Sequence, residues 1–473
     1  MMRQFMKPER IRIIAVLAIF NYIFLGSEYL FDNMIRYATD SAGVVSAQNY
    51  VLGISVIGFL LFPCINRYFN QKMREIGLYL LPIAGIICIF VIQEHLSYRS
   101  MLLSGFLLYI LYGMIGSAVH YYAAVSLSTE KGLAQTVGFG YAFGLLLQFI
   151  SNNLIHNSTV ESVALSVFLA AMVLLVRRLS LECSRGIVGA EASGTDSDID
   201  IRKNNRRSLR HPMLAALLLI SIVVLMTCIF SSLDNAVTLV HAGGSVDIGQ
   251  WPRLLLAVSG LLAGVLFDIK EYRFMQIMMY CVTLLSTMCV VIIVWGGPFM
   301  AGLIVFYFTT SFMDLSYYMK VPELWAGLGR ATNNICAGIT GTISLMLIET
   351  GDGMRISIIA LILFAVISML VYLYMVQFRM DIQEENMAKM LEKEREKFLE
   401  DKFQAFVKNY ALTNREQDVL RLLLSSDESV QVIAEQLYIS RAALYRYMAS
   451  LNEKTETKSR IGLLQFYYSW KQP

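Results

Sequence analysis

Charged side chains make up only 16% of these 473 residues, while hydrophobic ones make up 56%. That shortage excludes an ordinary soluble chain, whose surface calls for roughly a quarter of its residues to be charged. Proline is also scarce, at eight residues, which leaves long stretches without a helix breaker. Histidine is confined to five scattered positions, and the seven cysteines have no metal-ligand spacing. Most of those cysteines fall in apolar runs, where a thiol behaves as a small hydrophobe. There is no nucleophile elbow, phosphate-cradling loop or metal-ligand cluster, so the expectation is a non-enzyme with no cofactor and no metal. A net charge of +3 is too small to point to nucleic acid. The distribution of charge has to decide that question.

Apolar stretches long enough to span a bilayer recur at about residues 11–31, 42–63, 76–93, 101–126, 132–151 and 158–176. After a polar interval, a second set follows at 213–232, 252–268, 274–296, 298–318, 332–349 and 355–378. The first run carries Arg3, Lys7, Arg10 and Arg12 ahead of it and no small-residue cleavage pattern, which reads as a first transmembrane helix rather than a signal peptide. The expected fold class is therefore all-α: a polytopic bundle of twelve transmembrane helices, in halves 1–176 and 213–378, joined by a cytoplasmic loop at 177–212.

Lys and Arg residues set the orientation, because cytoplasmic loops retain positive charge. With the N-terminus inside, the inner segments hold about twenty of them, including Lys320 and Arg330, against Arg36, Arg99, Arg253 and Arg355 outside. Both termini are then expected to face the cytoplasm, with the bundle in a bacterial inner membrane.

The six-plus-six plan with a long central loop resembles the major facilitator superfamily, over residues 1 to about 378. Gly264, Asp268 and Arg273 match that family's inner-loop signature, and the resemblance implies a charge-linked gate there. The equivalent first-half loop keeps Gly58 and Arg67 but has Phe62 where the acid would stand.

Polar residues within the spans are the natural place for a ligand, since an unpaired charge in hydrocarbon costs several kcal/mol. Glu28, His120, Asp234 and Asp314 are the ligand-binding candidates, Gln135 and Gln148 are further polar candidates within the spans, and Asn21, Asn333 and Asn334 are neutral partners. Glu28 and Asp234 stand near the outer ends of their spans, so a reach to water or headgroups is equally consistent with them. Asp314 and His120 are expected deeper. Gly138, Gly140 and Gly144 read as a close helix contact, not a dinucleotide loop, because they follow no strand. Asp32-Asn33 and Asp234-Asn235 echo each other at matching places in the first and seventh spans.

Composition changes abruptly after Phe378. Residues 379–411 are rich in Glu, Lys and Met with no Pro or Gly, a charged helical linker that could be solvated, membrane-skimming or coiled. Residues 412–473 have the pattern of four short helices. Thr413 and Glu416 form a capping box, Ser429 and Ser440 stand at two further helix starts, and a fourth helix falls at about 459–470. The second and third, joined by a tight turn at Leu437-Tyr438-Ile439, have the plan of a helix-turn-helix.

This segment resembles the LuxR-type helix-turn-helix domain. Leu412, Thr413, Arg415, Glu416, Val419, Leu420, Leu422 and Leu423 match its opening, and Ile433, Ala434, Leu437, Ile439 and Ser440 match its centre. Ser425-Ser426-Asp427 replaces the usual glycine turn. The resemblance implies DNA binding, with Ser440, Arg441, Ala442, Tyr445 and Arg446 toward the major groove and Lys454, Lys458 and Arg460 toward phosphates. Eight basic and seven acidic residues in 412–473 make a weakly charged monomer, so a homodimer through the fourth helix (Leu463, Phe466, Tyr467) is expected to strengthen binding.

Two functions fit. The first is a membrane-bound, sequence-specific transcriptional regulator whose transporter-like bundle senses an unknown small molecule or ion; its partners are DNA and the lipid bilayer. The alternative is a secondary transporter with a regulatory tail.

Overall fold

The computed structural model describes residues 8–127, 132–192, 212–244, 247, 251–267, 297–349, 353–425 and 430–470. Every regular element among them is helical: α1 (Pro8–Ile35), α2 (Ser41–Tyr68), α3 (Gln71–Gln93), α4 (Tyr98–Leu127), α5 (Leu133–Leu154), α6 (Ser158–Ala192), α7 (Pro212–Ala242), α8 (Trp251–Phe267), α9 (Gly297–Ser316), α10 (Pro322–Glu349), α11 (Gly353–Asn409), α12 (Asn414–Ser425), α13 (Val430–Gln436), α14 (Arg441–Lys454) and α15 (Arg460–Ser469). The chain divides into two compact units, Met1–Arg379 and Met380–Pro473.

In the first unit, α1 to α6 are long and apolar enough to cross a membrane. These helices fall on the six expected spans of the first half, and the chain is a multi-pass membrane protein. In the second half, helices α7 to α11 overlap the apolar runs at 213–232, 252–268, 298–318, 332–349 and 355–378, and the run at 274–296 lies outside the described residues. The halves meet where α2 lies on α10 and where α5 lies on α8.

Glycines allow the second of these contacts. A Cβ at Gly138 would fall 2.6 Å from the Gly264 Cα, and one at Gly144 would fall 2.5 Å from the Ala18 carbonyl oxygen on α1. Backbones approach here as in other small-residue helix crossings. Gly264 therefore acts in helix packing. Asp268 and Arg273, the rest of the inner-loop signature, lie outside the described residues.

Two expected loop charges are not in loops. Helix α10 begins ten residues before the apolar run at 332, with Pro322 and Glu323 in its first turn, where a fixed φ and a negative charge both favour a helix start. Arg330 is thereby carried inside the bundle, 6% exposed, and Arg253 in the first turn of α8 is 7% exposed. The reading by apolar runs assigns both to loops, Arg330 because it stands two residues ahead of the run at 332 and Arg253 because it stands at the very edge of the run at 252.

The second unit contains its own core, built from Phe403, Phe406, Leu412, Val419, Leu420, Leu423, Ile433, Leu444, Leu451, Leu463 and Tyr467. Phe406 of α11 is fully buried, with ring centroids 5.1 Å from Tyr467 and 5.3 Å from Trp470. The last two turns of the expected linker are thus part of the domain, which begins upstream of residue 412. Those phenylalanines fit no heptad because they face this core. Leu463 and Tyr467 are internal too, so neither is available to a dimer face; the outward apolar residues of α15 are Ile461 and Tyr468.

Candidate functional sites: a helix-turn-helix surface and a buried charge cluster

Local sequence dictates the helix-turn-helix geometry closely. Ser440 is the N-cap of α14, and its side chain accepts a hydrogen bond from the Ala443 amide at 3.2 Å. Ahead of it, α13 ends with Tyr438 in the left-handed region (φ 54°), the Ile439 amide bonding the Ala434 carbonyl and the Tyr438 amide the Glu435 carbonyl. That is the Schellman arrangement, which usually places glycine where Tyr438 stands. Ala411 (φ 45°) and Glu456 (φ 55°) end α11 and α14 in the same way.

The start of α12 is tied to the end of α14 through Glu416, a carboxylate only 3% exposed. Its Oε2 accepts from the Thr413 amide (2.7 Å), the Thr413 hydroxyl (2.9 Å) and Lys454 Nζ (2.7 Å), and its Oε1 from the Ser450 hydroxyl (2.6 Å). Burial pushes the Glu416 carboxyl up, but the bonds from Lys454, Ser450 and Thr413 outweigh it and hold it at about 2. Lys454 also donates to the Ala411 carbonyl at 3.0 Å. It thus stands in an internal network rather than with the outward cations.

Helix α14 buries Leu444, Met448 and Leu451 and exposes Arg441, Ala442, Tyr445 and Arg446, the four residues expected to face the groove. Of the domain's other cations, Arg415 lies 4.0 Å from Asp418, and Arg421 makes two bonds to Glu400, at 2.9 and 3.0 Å. Those bonds, from Arg421 first and Gln404 next, lower the Glu400 carboxyl below its usual range. Arg441, Arg446 and the exposed Lys458 make no ion pair among the described residues. Arg460 is half-buried at the start of α15. The domain's near-neutral total therefore conceals an uncompensated positive patch at the start of α14.

Residues 410–467 match the family model described as bacterial regulatory proteins, luxR family. This domain is of the LuxR type. No curated protein matches the chain. Among solved structures, a proton:xylose symporter of the major facilitator superfamily is 14% identical over 78% of this chain and 95% of its own, with a TM-score of 0.48. A POT family transporter in complex with a thioalcohol-conjugated peptide is 11% identical over 79% and 96%, with a TM-score of 0.49. The fucose:proton symporter of E. coli is 13% identical over 76% and 97%, with a TM-score of 0.45. None of these likenesses carries information on ligand or transport. Within the LuxR-type domain, the family match begins two residues before Leu412, just after the end of α11.

The membrane unit holds a second site. Glu28 of α1 is 6% exposed; its Oε1 accepts from Gln48 Nε2 of α2 at 2.6 Å, and its Oε2 lies 3.7 Å from Arg253 Nη2. Four residues earlier on α1, the ring of Phe24 carries the Arg330 guanidinium 5.3 Å above its centroid. His120 of α4 is buried, donates from Nδ1 to the Gly116 carbonyl at 2.6 Å and meets Phe20 edge-on; the field of Arg330 reaches it. The structure thus brings Glu28 and His120 to the same buried region, around two arginines that the span criterion placed in loops. Pro322-Glu323 at a helix start was the signal that would have moved Arg330 inside.

Asp314 is half-buried two residues before the end of α9, with Tyr317 close by, and is not deep in its helix. The Asp234 side chain lies outside the described residues. Its neighbour Asn235 bridges α2 and α10, accepting from Asn49 at 3.2 Å and donating to the Gly341 carbonyl at 2.6 Å.

Proposed function

We propose that this chain is a membrane-bound, sequence-specific transcriptional regulator. Its helical bundle senses a small molecule or ion, and the state of the bundle sets the DNA occupancy of the LuxR-type domain. The observation that carries this is the union, in one chain, of membrane-crossing helices with a LuxR-type domain whose outward cations gather on α14. Arg441, Ala442, Tyr445 and Arg446 read base edges, Arg being the side chain suited to guanine O6 and N7. Lys458 and Arg460 position the domain on phosphates. Ser440 and Lys454 serve by holding α14 in place.

The excess of basic residues in the inner segments supports an arrangement in the inner membrane with both termini in the cytoplasm. Burial of Phe403 and Phe406 in the domain's core supports coupling, because a shift of that part of α11 is felt directly at the helix-turn-helix. A ligand drives the change only by binding two states with different affinity. Pairing of two copies, through outward residues such as Ile461 and Tyr468, would supply the affinity a weakly charged monomer lacks.

Chromatin immunoprecipitation of the full-length protein beside an Arg441→Ala/Arg446→Ala variant tests this. Discrete enriched sites that disappear in the variant are expected. No enrichment in either protein sinks the regulator and promotes a secondary transporter, for which the buried Glu28, Arg253 and Arg330 are also suited. A transporter would keep substrate uptake after removal of residues 412–473.

A further inference from the structure

Arg330 stands eight residues into α10, about 12 Å along the helix from Pro322 at 1.5 Å per residue. Its guanidinium makes no hydrogen bond among the described residues, and its Nε is fully buried. The buried Nε–H of this planar fork of donors has no hydrogen-bond partner among the described residues, and the guanidinium lies over one aromatic face. Glu28 stands one turn along α1 from Phe24, on whose ring Arg330 lies. That carboxylate already has Gln48 on one oxygen and Arg253 near the other. A cation so placed inside a membrane bundle is costly unless a partner arrives.

We infer that the Arg330 guanidinium docks the carboxylate group of a small organic anion held within the bundle. This deepens the sensor function proposed above and rests on it. The chemistry of the surroundings chooses the class. A cationic ligand would meet Arg330 and Arg253 together. A carboxylate presents two oxygens in one plane, matching two parallel N–H bonds of the fork, and binds along its edge because Phe24 covers a face. The apolar remainder of the ligand would find Phe24, under the guanidinium, and Phe20, whose ring centroid is 5.8 Å from that of Phe24.

The test is equilibrium binding of radiolabelled benzoate to the full-length protein in phosphatidylcholine nanodiscs, with benzamide, acetate and phosphate as unlabelled competitors. Saturable benzoate binding is expected, displaced by acetate and not by benzamide at equal concentration. Arg330→Gln should weaken it by at least about tenfold. Arg330→Lys, which keeps the charge but loses the fork, should fall between and serves where Arg330→Gln fails to assemble. Absence of saturable binding, or equal affinity in wild type and Arg330→Lys, overturns the inference. So does displacement by phosphate in preference to acetate, or loss of binding when phosphatidylglycerol in the disc takes the site. Benzoate results that fail while the immunoprecipitation sites persist sink the carboxylate site alone; the opposite pattern sinks the regulator alone.

Discussion

Each unit of the molecule buries a glutamate, and the two are treated differently. Glu416 in the LuxR-type domain has four hydrogen bonds on its two oxygens, one of them from a lysine. Among the described residues, Glu28 in the membrane bundle has one hydrogen bond and an arginine at 3.7 Å, and the Nε of a second arginine in the same region has no hydrogen-bond partner. A fully satisfied buried charge fixes a geometry, here the crossing of α12 and α14. A half-satisfied one stores free energy that another molecule can release. The contrast marks the first cluster as architecture and fits the second to the sensing role proposed above.

The largest effect that would sharpen the contrast is at Glu416. Glu416→Ala leaves Ser450, Thr413 and the Lys454 ammonium without their acceptor, and loss of about 3 kcal/mol from the domain is expected. Hydrogen exchange of the amides in residues 410–467 of the full-length protein reads it. The linked pH dependence has a definite sign. The carboxyl sits at about 2 when folded against 4.5 ordinarily, so its contribution is full above about pH 5 and is lost as the pH falls toward 2. Protection of these amides in wild type should fall across that window, and in Glu416→Gln the slope should be flatter. An unchanged slope would show that Glu416 is not the charge that holds the two helices.

At Arg330 the opposite sign is expected. Arg330→Met removes a buried charge that no hydrogen bond among the described residues compensates and keeps most of the apolar volume, so the bundle should gain stability, by about 1–2 kcal/mol on the scale of such replacements. Thermal unfolding in nanodiscs without added carboxylate measures it. A loss as large as that at Glu416 would break the contrast, because Arg330 would then be a structural group like Lys454.

How much of this was legible in the sequence follows the same division. Helix positions in the bundle could be read from apolar run lengths, and the helix-turn-helix from its caps, because Thr413, Glu416 and Ser440 act within three residues of themselves. For Arg253 and Arg330 local signals go only part of the way: Pro322-Glu323 marks where α10 begins, but burial of either charge depends on Glu28 and Phe24, hundreds of residues away. Phe403 and Phe406 were likewise assigned to a linker, because their partners Tyr467 and Trp470 stand some sixty residues downstream. Local rules place local partners; the clusters that define the two units are made from distant ones.

The smallest effect concerns a residue that satisfies neither pattern. Tyr438 is 96% exposed and left-handed at the turn between α13 and α14, a conformation that costs an L-residue roughly 1 kcal/mol and glycine very little. Packing does not explain a tyrosine there, because its ring touches nothing that would offset the strain. Tyr438→Gly should therefore stabilise the domain by about 1 kcal/mol, read as slower exchange of the amides in α13 and α14. Immunoprecipitation then separates two outcomes. Unchanged DNA occupancy in the more stable variant would leave Tyr438 without a role in the fold or the reading of DNA. Reduced occupancy despite higher stability would place this ring on the DNA, beside Arg441, and extend the contacting surface from α14 into the turn that precedes it.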